Sequence, residues 1–247
     1  MVSLERIITV FGFLVIFGIV AEPAYAMHIS EGILPVGWSV LWFLAAIPFV
    51  AMGLKSIRER AEKDPSFKPM VGLVGAAVFI ISCMPIPVPI AGTCSHPCGT
   101  GMAAILVGPS VSVVLASIAL LLQALFLAHG GLTTLGANIM SMGVAGSFAG
   151  YGIFVLSRKI GLPYLLAAFL AGVLSDWATY AATSFMLSAA LHADVSLWKM
   201  FVAIAAAFVP TQLPLGILEG FLTAGAYGFI HSRRPQYLYL LKKGETA

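Results

Sequence analysis

Charge is what this sequence has least of: 9% of its 247 residues are Asp, Glu, Lys or Arg. That excludes an ordinary water-solvated globular surface, for which about a quarter of the residues are charged. With 60% hydrophobic residues and a mean hydropathy of +1.01, the chain has the bilayer as its solvent. The 13 basic residues gather in a few loops, which excludes a nucleic-acid-binding face and makes their placement a report on topology. Three cysteines, Cys83, Cys94 and Cys98, make no disulfide framework, and the odd number leaves one thiol unpaired in any scheme. The sequence has no G-x-x-x-x-G-K-[ST] loop, so it does not hydrolyse ATP by that route. It also lacks H-E-x-x-H, G-x-S-x-G and the paired aspartates of membrane hydrolases. No enzyme is expected, and energy for any uphill process would have to come from partners or an ion gradient.

What the sequence does have is long apolar runs. A hydrocarbon core of about 30 Å takes about 20 apolar residues per crossing, so one all-α polytopic domain with roughly six or seven spans fits this length. Residues 1–26 read as a signal peptide: Arg6, an apolar run from Ile7 to Val20, the breaker Glu22-Pro23, and Ala24-Tyr25-Ala26 in A-x-A form. The alternative is an uncleaved first transmembrane helix. Cleavage after Ala26 leaves residues 27–247 as an integral membrane metal-binding transport domain that begins Met27-His28, with a free amine outside.

Helices are expected at about Val36–Ile57, Met70–Met84, Val111–Ala128, Leu132–Leu156, Leu162–Leu191 and Leu197–His231. Pro85-Ile86-Pro87-Val88-Pro89 cannot continue a helix and favours extended chain. Residues 99–108 are too few to span the full thickness. Counted as a short crossing, they put the loop from Lys55 to Pro69, the pair Arg158-Lys159 and the tail with Arg233-Arg234 and Lys242-Lys243 on one side. That satisfies the positive-inside rule with about seven transmembrane helices, amino terminus out and carboxyl terminus cytoplasmic. Residues 85–108 then hold irregular backbone at membrane depth, which is tolerated only where protein buries it or it lines a cavity; a site is expected there. Gly146-Ser-Phe-Ala-Gly150 is a small-xxx-small pattern suited to close helix packing.

This topology puts His28, His96, His129 and His192 outside, which suits capture. In a chain beginning X-His, the terminal amine, the second amide nitrogen and its imidazole close two chelate rings on one metal. Met27 and His28 therefore offer three nitrogens once the leader is gone, a planar set that suits Ni(II) or Cu(II), and His96 is the candidate fourth ligand. The imidazoles must be neutral, so affinity is expected to fall below about pH 6.5. Less favoured alternatives for His96 in C-S-H-P-C are a thiolate Cu(I) or Zn(II) site, or bonds to loop carbonyls. His129 before Gly130-Gly131 reads as a helix end, and His192 with Asp194 as a solvated loop. Asp176 and Glu219 lie in apolar runs, where burial is costly without a partner or a cavity; they read as an interhelical network, with Gln123, Asn138 and Gln212 as companions. Together with Glu31, Thr93 and Ser95 they are also candidates to orient metal ligands from behind.

Across MHISEGILPVGW, GTCSHPCGTGMAAILVGP, QALFLAHGGLTTLGANIMSMG, SDWATY and TQLPLGILEGFLT, from Met27 to about His231, the chain resembles the CbiM and NikM substrate-capture subunits of cobalt and nickel energy-coupling-factor (ECF) transporters. The resemblance implies a seven-helix subunit of the cell membrane, with metal held by the amine of Met27, the amide nitrogen and imidazole of His28, and the imidazole of His96. It implies as partners a transmembrane coupling subunit, two cytoplasmic ABC ATPases and a small accessory membrane subunit, with the surrounding lipid. The SHPCGTG loop looks like the cobalt branch, which supplies cobalamin synthesis; nickel import by the same mechanism is the alternative. An intramembrane metalloenzyme built on His96, Cys94, Cys98 and an acid is the rival of another class. Family members often start directly at Met-His, whereas this chain carries a leader.

Overall fold

The computed structural model describes residues 25–26, 28–84, 86–88, 93–235 and 238–239. The leader up to residue 24, Met27 and Lys242-Lys243 fall outside them, as do the side chains of residues 25–26, 86–88 and 93–95. The helices are α1 (Val36–Lys63), α2 (Phe67–Ser82), α3 (Thr100–Val107), α4 (Pro109–Phe126), α5 (Leu135–Asn138), a π-helical stretch Ile139–Gly146, α6 (Ser147–Lys159), α7 (Tyr164–Leu191) and α8 (Leu197–Arg233). Since α5, the π stretch and α6 form one rod, Leu135–Lys159, the described residues make seven helical rods. Five of them are long and apolar enough to cross a membrane, and α2 is a shorter apolar helix.

Two boundaries differ from the sequence reading. Helix α1 does not stop at Ile57 but runs to Lys63, because its charges pair along the helix, Lys55 with Glu59 and Arg58 with Glu62, each four residues apart. The expected basic loop therefore shrinks to the turn at Asp64-Pro65. Helix α2 begins at Phe67 and takes Pro69 into its first turn, where a missing N–H breaks no helical bond.

The short helix α3 runs back along α2 between the two ends of the bundle. All eight of its residues are buried, and at 1.5 Å per residue it is only about 12 Å long. Its first end, at Gly99, lies against Val78 and Ile81 near the end of α2. At the other end the Val107 carbonyl accepts a hydrogen bond from the Arg60 guanidinium at the end of α1, and that guanidinium stacks on Phe67 and Tyr239. Gly108, at φ +97°, makes the reversal into α4. Tyr239 packs on Tyr151 of α6, and Tyr164 of α7 stacks on His231 of α8 at 4.2 Å. The basic groups around Arg58, Arg158 and Arg233 thus share one end of the bundle, opposite His28.

Small residues let the rods close in on α3. A Cβ on Gly150 would stand 2.9 Å from the Gly101 Cα, and one on Gly101 would stand 2.6 Å from the Ser175 Cβ. The seam between α6, α3 and α7 is therefore backbone on backbone, the use expected of Gly146-xxx-Gly150. Outward, Val36, Val40, Leu44, Ile47 and Leu54 of α1 and Trp198, Val202, Phe221 and Phe229 of α8 are exposed, an apolar surface that only lipid or another membrane chain can solvate.

Three very short strands add the non-helical element. β1 (Tyr25–Ala26) lies parallel to β3 (Thr93–Ser95), with Ala26 opposite Cys94. β2 (Ile86–Val88), from the alternating prolines, lies antiparallel on the other side of β3, an edge position that tolerates Pro87. This ribbon brings the chain that leads into His28 alongside the chain that leads into His96.

Candidate metal centre

Three imidazoles meet at the end of the bundle opposite the basic residues. The ring centroids of His28 and His96 are 4.7 Å apart, those of His28 and His129 4.8 Å, and those of His96 and His129 5.0 Å. One nitrogen from each lies within 4.8 Å of the others. His28 comes from the loop before α1, His96 from the loop before α3, and His129 from the turn after α4.

The second nitrogens decide which face is free. His96 donates Nδ1–H to the Pro97 carbonyl at 3.0 Å, which leaves Nε2 as the lone pair, buried and without a partner. Nε2 of His129 is likewise buried and unpartnered. For His28 the tautomer is set from behind. The Gln123 amide donates to the Ser82 carbonyl at 3.0 Å and hydroxyl at 2.9 Å, so its oxygen must face His28 and accept the Nε2–H at 3.1 Å. Nδ1 of His28 is then the open lone pair, on the side of its own amide nitrogen.

Burial keeps these rings neutral. It holds His28 well below the ordinary imidazole pKa, with further lowering from His96 and His129. Burial and then His129 push His96 down to about 4, and burial lowers His129 as well. A solvated imidazole, by contrast, takes up a proton near pH 6.5.

The loop carrying His28 is clamped through its backbone. Asn138 accepts from the Ile29 N–H at 2.9 Å and donates to the Ile29 carbonyl at 3.1 Å, and the Thr134 hydroxyl donates to the same carbonyl at 2.6 Å. Buried Ile29 and Leu34 pack with Ala137 and Met186 behind it. Gly130, at φ +77°, lets the His129 turn come close: a Cβ there would meet Asn138 Nδ2 at 3.2 Å and His28 Cβ at 3.3 Å.

Residues 28–237 match the family model described as CbiM, cobalt uptake substrate-specific transmembrane region. The chain belongs to the CbiM family. It is 61% identical over 220 residues to the cobalt transport protein CbiM of Geobacter sulfurreducens, covering 89% of this chain but only 64% of that longer relative. It is 59% identical over 212 residues to the cobalt transport protein CbiM of Sorangium cellulosum, covering 86% of this chain and 94% of the relative. A solved transition metal transporter superposes with a TM-score of 0.72 at 26% identity, over 88% of this chain and 97% of its own.

Within this CbiM-family fold the residues singled out in the sequence fall into three groups. His28 and His96 stand together, while Met27 lies outside the described residues. His129, read as a helix end, does follow α4 and also turns its ring into the cluster; Gln123, which bonds His28, lies six residues earlier in the chain. His192 closes α7 and is no part of the group. Thr93 and Ser95 have no described side chains. Glu31, exposed, holds the Thr133 N–H with both oxygens, at 3.1 and 3.4 Å, which pins the His28 loop to the His129 turn. Glu219 accepts from the backbone N–H of Cys98 at 2.6 Å and of Gly99 at 3.0 Å, so it reaches the His96 loop through the main chain. Asp176 faces Cys98, whose Sγ is 3.8 Å from Oδ1. Cys83 and Cys98 are free thiols.

Proposed function

We propose that this chain is the substrate-binding membrane subunit of an ECF-type importer of Co2+, capturing the ion from outside the cell membrane for cobalamin synthesis. The observation that carries this reading is the convergence of three neutral imidazoles, one of them His28, two with unpartnered buried Nε2 atoms. Removal of the leader supplies the amine of Met27 and the amide nitrogen of His28. With His28 Nδ1 and the His96 imidazole these make four nitrogens, and His129 brings a further one. A donor beyond the planar four favours Co2+, which accepts higher coordination, over Ni2+, for which the planar set alone is ideal. Nickel is the second reading, carried by that planar set. The names of the relatives support cobalt, and the family match beginning at His28 supports a mature chain that starts nearby.

The capture end faces outward and the basic end faces the cytoplasm in this reading, by the positive-inside rule. The basic end is where a transmembrane coupling subunit, two ABC ATPases and a small accessory membrane subunit act, since the chain has no phosphate loop of its own. An intramembrane metalloenzyme built on Cys94, Cys98 and His96 is the competing class. It requires thiolate ligands, whereas capture at the histidines survives Cys94→Ser and Cys98→Ser.

Intact-protein mass spectrometry and metal analysis of the natively expressed protein test the proposal. The expected result is a mass beginning at Met27 with cobalt bound through nitrogen. A mass that retains residues 1–26, or a mature protein devoid of Co and Ni, overturns it.

A further inference from the structure

A second cluster lies immediately behind the first. Cys98, Asp176 and Glu219 are each 0–1% exposed, and one ligand-capable atom from each lies within 4.8 Å of the others. They come from three separate elements: the loop into α3, the middle of α7 and the middle of α8. Both ion pairs among the described residues lie on α1, so no Lys or Arg compensates this pair of carboxylates. Asp176 turns Oδ1 toward the thiol and leaves Oδ2 buried with no hydrogen-bond partner. Glu219 spends one lone pair of each oxygen on the Cys98 and Gly99 N–H groups and keeps the others, because a carboxylate has about four acceptor positions. Buried groups of this kind are costly unless something satisfies them, and a coordinated cation does so.

We propose that Cys98, Asp176 and Glu219 form a second divalent transition-metal site, which receives the cargo from the histidine centre. Tetrahedral ligands at about 2.3 Å for sulfur and 2.1 Å for oxygen stand about 3.6 Å apart, and the Cys98 Sγ to Asp176 Oδ1 distance is already 3.8 Å. A thiol with two carboxylates suits Co2+ or Zn2+ and disfavours Mg2+ or Ca2+, which take oxygen alone. Binding displaces the thiol proton to solvent. His96 and Cys98 are two residues apart, and their Cα atoms are at most about 7 Å from each other. An ion leaving neutral imidazoles therefore finds a thiol and two carboxyl groups, which become anionic ligands as they release protons, within one step along the same loop. The hand-over role rests on the histidines being the capture site; the second site itself does not.

The test uses the mature, leader-free protein purified in detergent and titrated with cobalt chloride, read by bound metal per chain and by the near-ultraviolet sulfur-to-cobalt charge-transfer band. Two cobalt ions per chain with that band are expected at saturation. Cys98→Ser and Asp176→Asn each remove the band and one equivalent while the nitrogen-ligated ion stays; His28→Ala removes the other equivalent and keeps the band. Saturation of the wild-type protein at one cobalt without the band overturns the second site whatever the variants do. Loss of both ions from a well-folded Asp176→Asn protein overturns its separateness. A band that persists while His28→Ala removes nothing refutes the capture reading instead and leaves the deeper site standing.

Discussion

The two buried polar clusters of this bundle are built from opposite materials. The histidine centre is made of loops: its three rings come from the segment before α1, a turn with Pro97 and a glycine turn, and each ring is neutral. The Cys98, Asp176 and Glu219 cluster is made largely of helix, with its two acids in the middle of α7 and α8. The loops are held by hydrogen bonds to their backbone from Asn138, Thr134 and Glu31, whereas the mid-helix acids are fixed by the packing of the rods. One cluster is a neutral ligand set on clamped loops, the other an acidic set between helices.

That contrast is broken most severely at His28. His28→Ala removes an imidazole and its chelate ring, and Co2+ affinity of the leader-free protein is expected to fall by more than about 100-fold, the upper end of what loss of a mere outer partner costs. Equilibrium dialysis measures it, and an unchanged affinity would remove the histidine centre from the account. Gln123→Ala leaves the three rings in place but frees the His28 tautomer. The expected loss is about 10- to 100-fold, and at saturating metal the charge-transfer band of the deeper site should not change. Calorimetric titration of the two variants side by side separates a ligand from the residue that orients it.

Acidity acts next. His96 has a folded pKa of about 4 against an ordinary 6.5, so between those values the unfolded chain binds a proton that the folded chain excludes. Stability of the metal-free protein is therefore complete above about pH 6.5 and falls as pH drops toward about 4, by on the order of 3 kcal/mol from this ring. Thermal unfolding of the apo protein across that range, compared with His96→Ala, checks it: the variant should show a shallower decline. The smallest effect is at the glycine turn. Gly130→Ala places a Cβ at φ +77° against His28 and Asn138, and the left-handed backbone costs about 1–2 kcal/mol. A thermal shift on that scale without loss of the deeper site is expected.

Much of this architecture was legible in the residues, because hydropathy is a local property. The apolar runs placed all seven rods, and the short helix read at residues 99–108 is there as α3, with Arg60 on the Val107 carbonyl at its end. The end of α1 was misread because Lys55 and Arg58 look like a loop until their acidic partners Glu59 and Glu62 are placed one turn away. His129 was set aside for a related reason. Its contact with His28 spans about a hundred residues, and only the return of α4 to the same end as α2 brings them together. The imidazole pKa values were out of reach as well, since burial follows from packing. Glu219 was recognised as a costly charge, but its partners are two backbone amides, which leave no mark in a sequence.

The π-helical stretch Ile139–Gly146 joins Asn138, which grips Ile29, to Gly146, which abuts Thr100 and Thr179. An α-helix advances about 100° and 1.5 Å per residue, so deleting a single residue between them would turn one contact away from its target while the other stayed seated. The rod works as a key cut at both ends, and the wide turn between the cuts sets their relative angle.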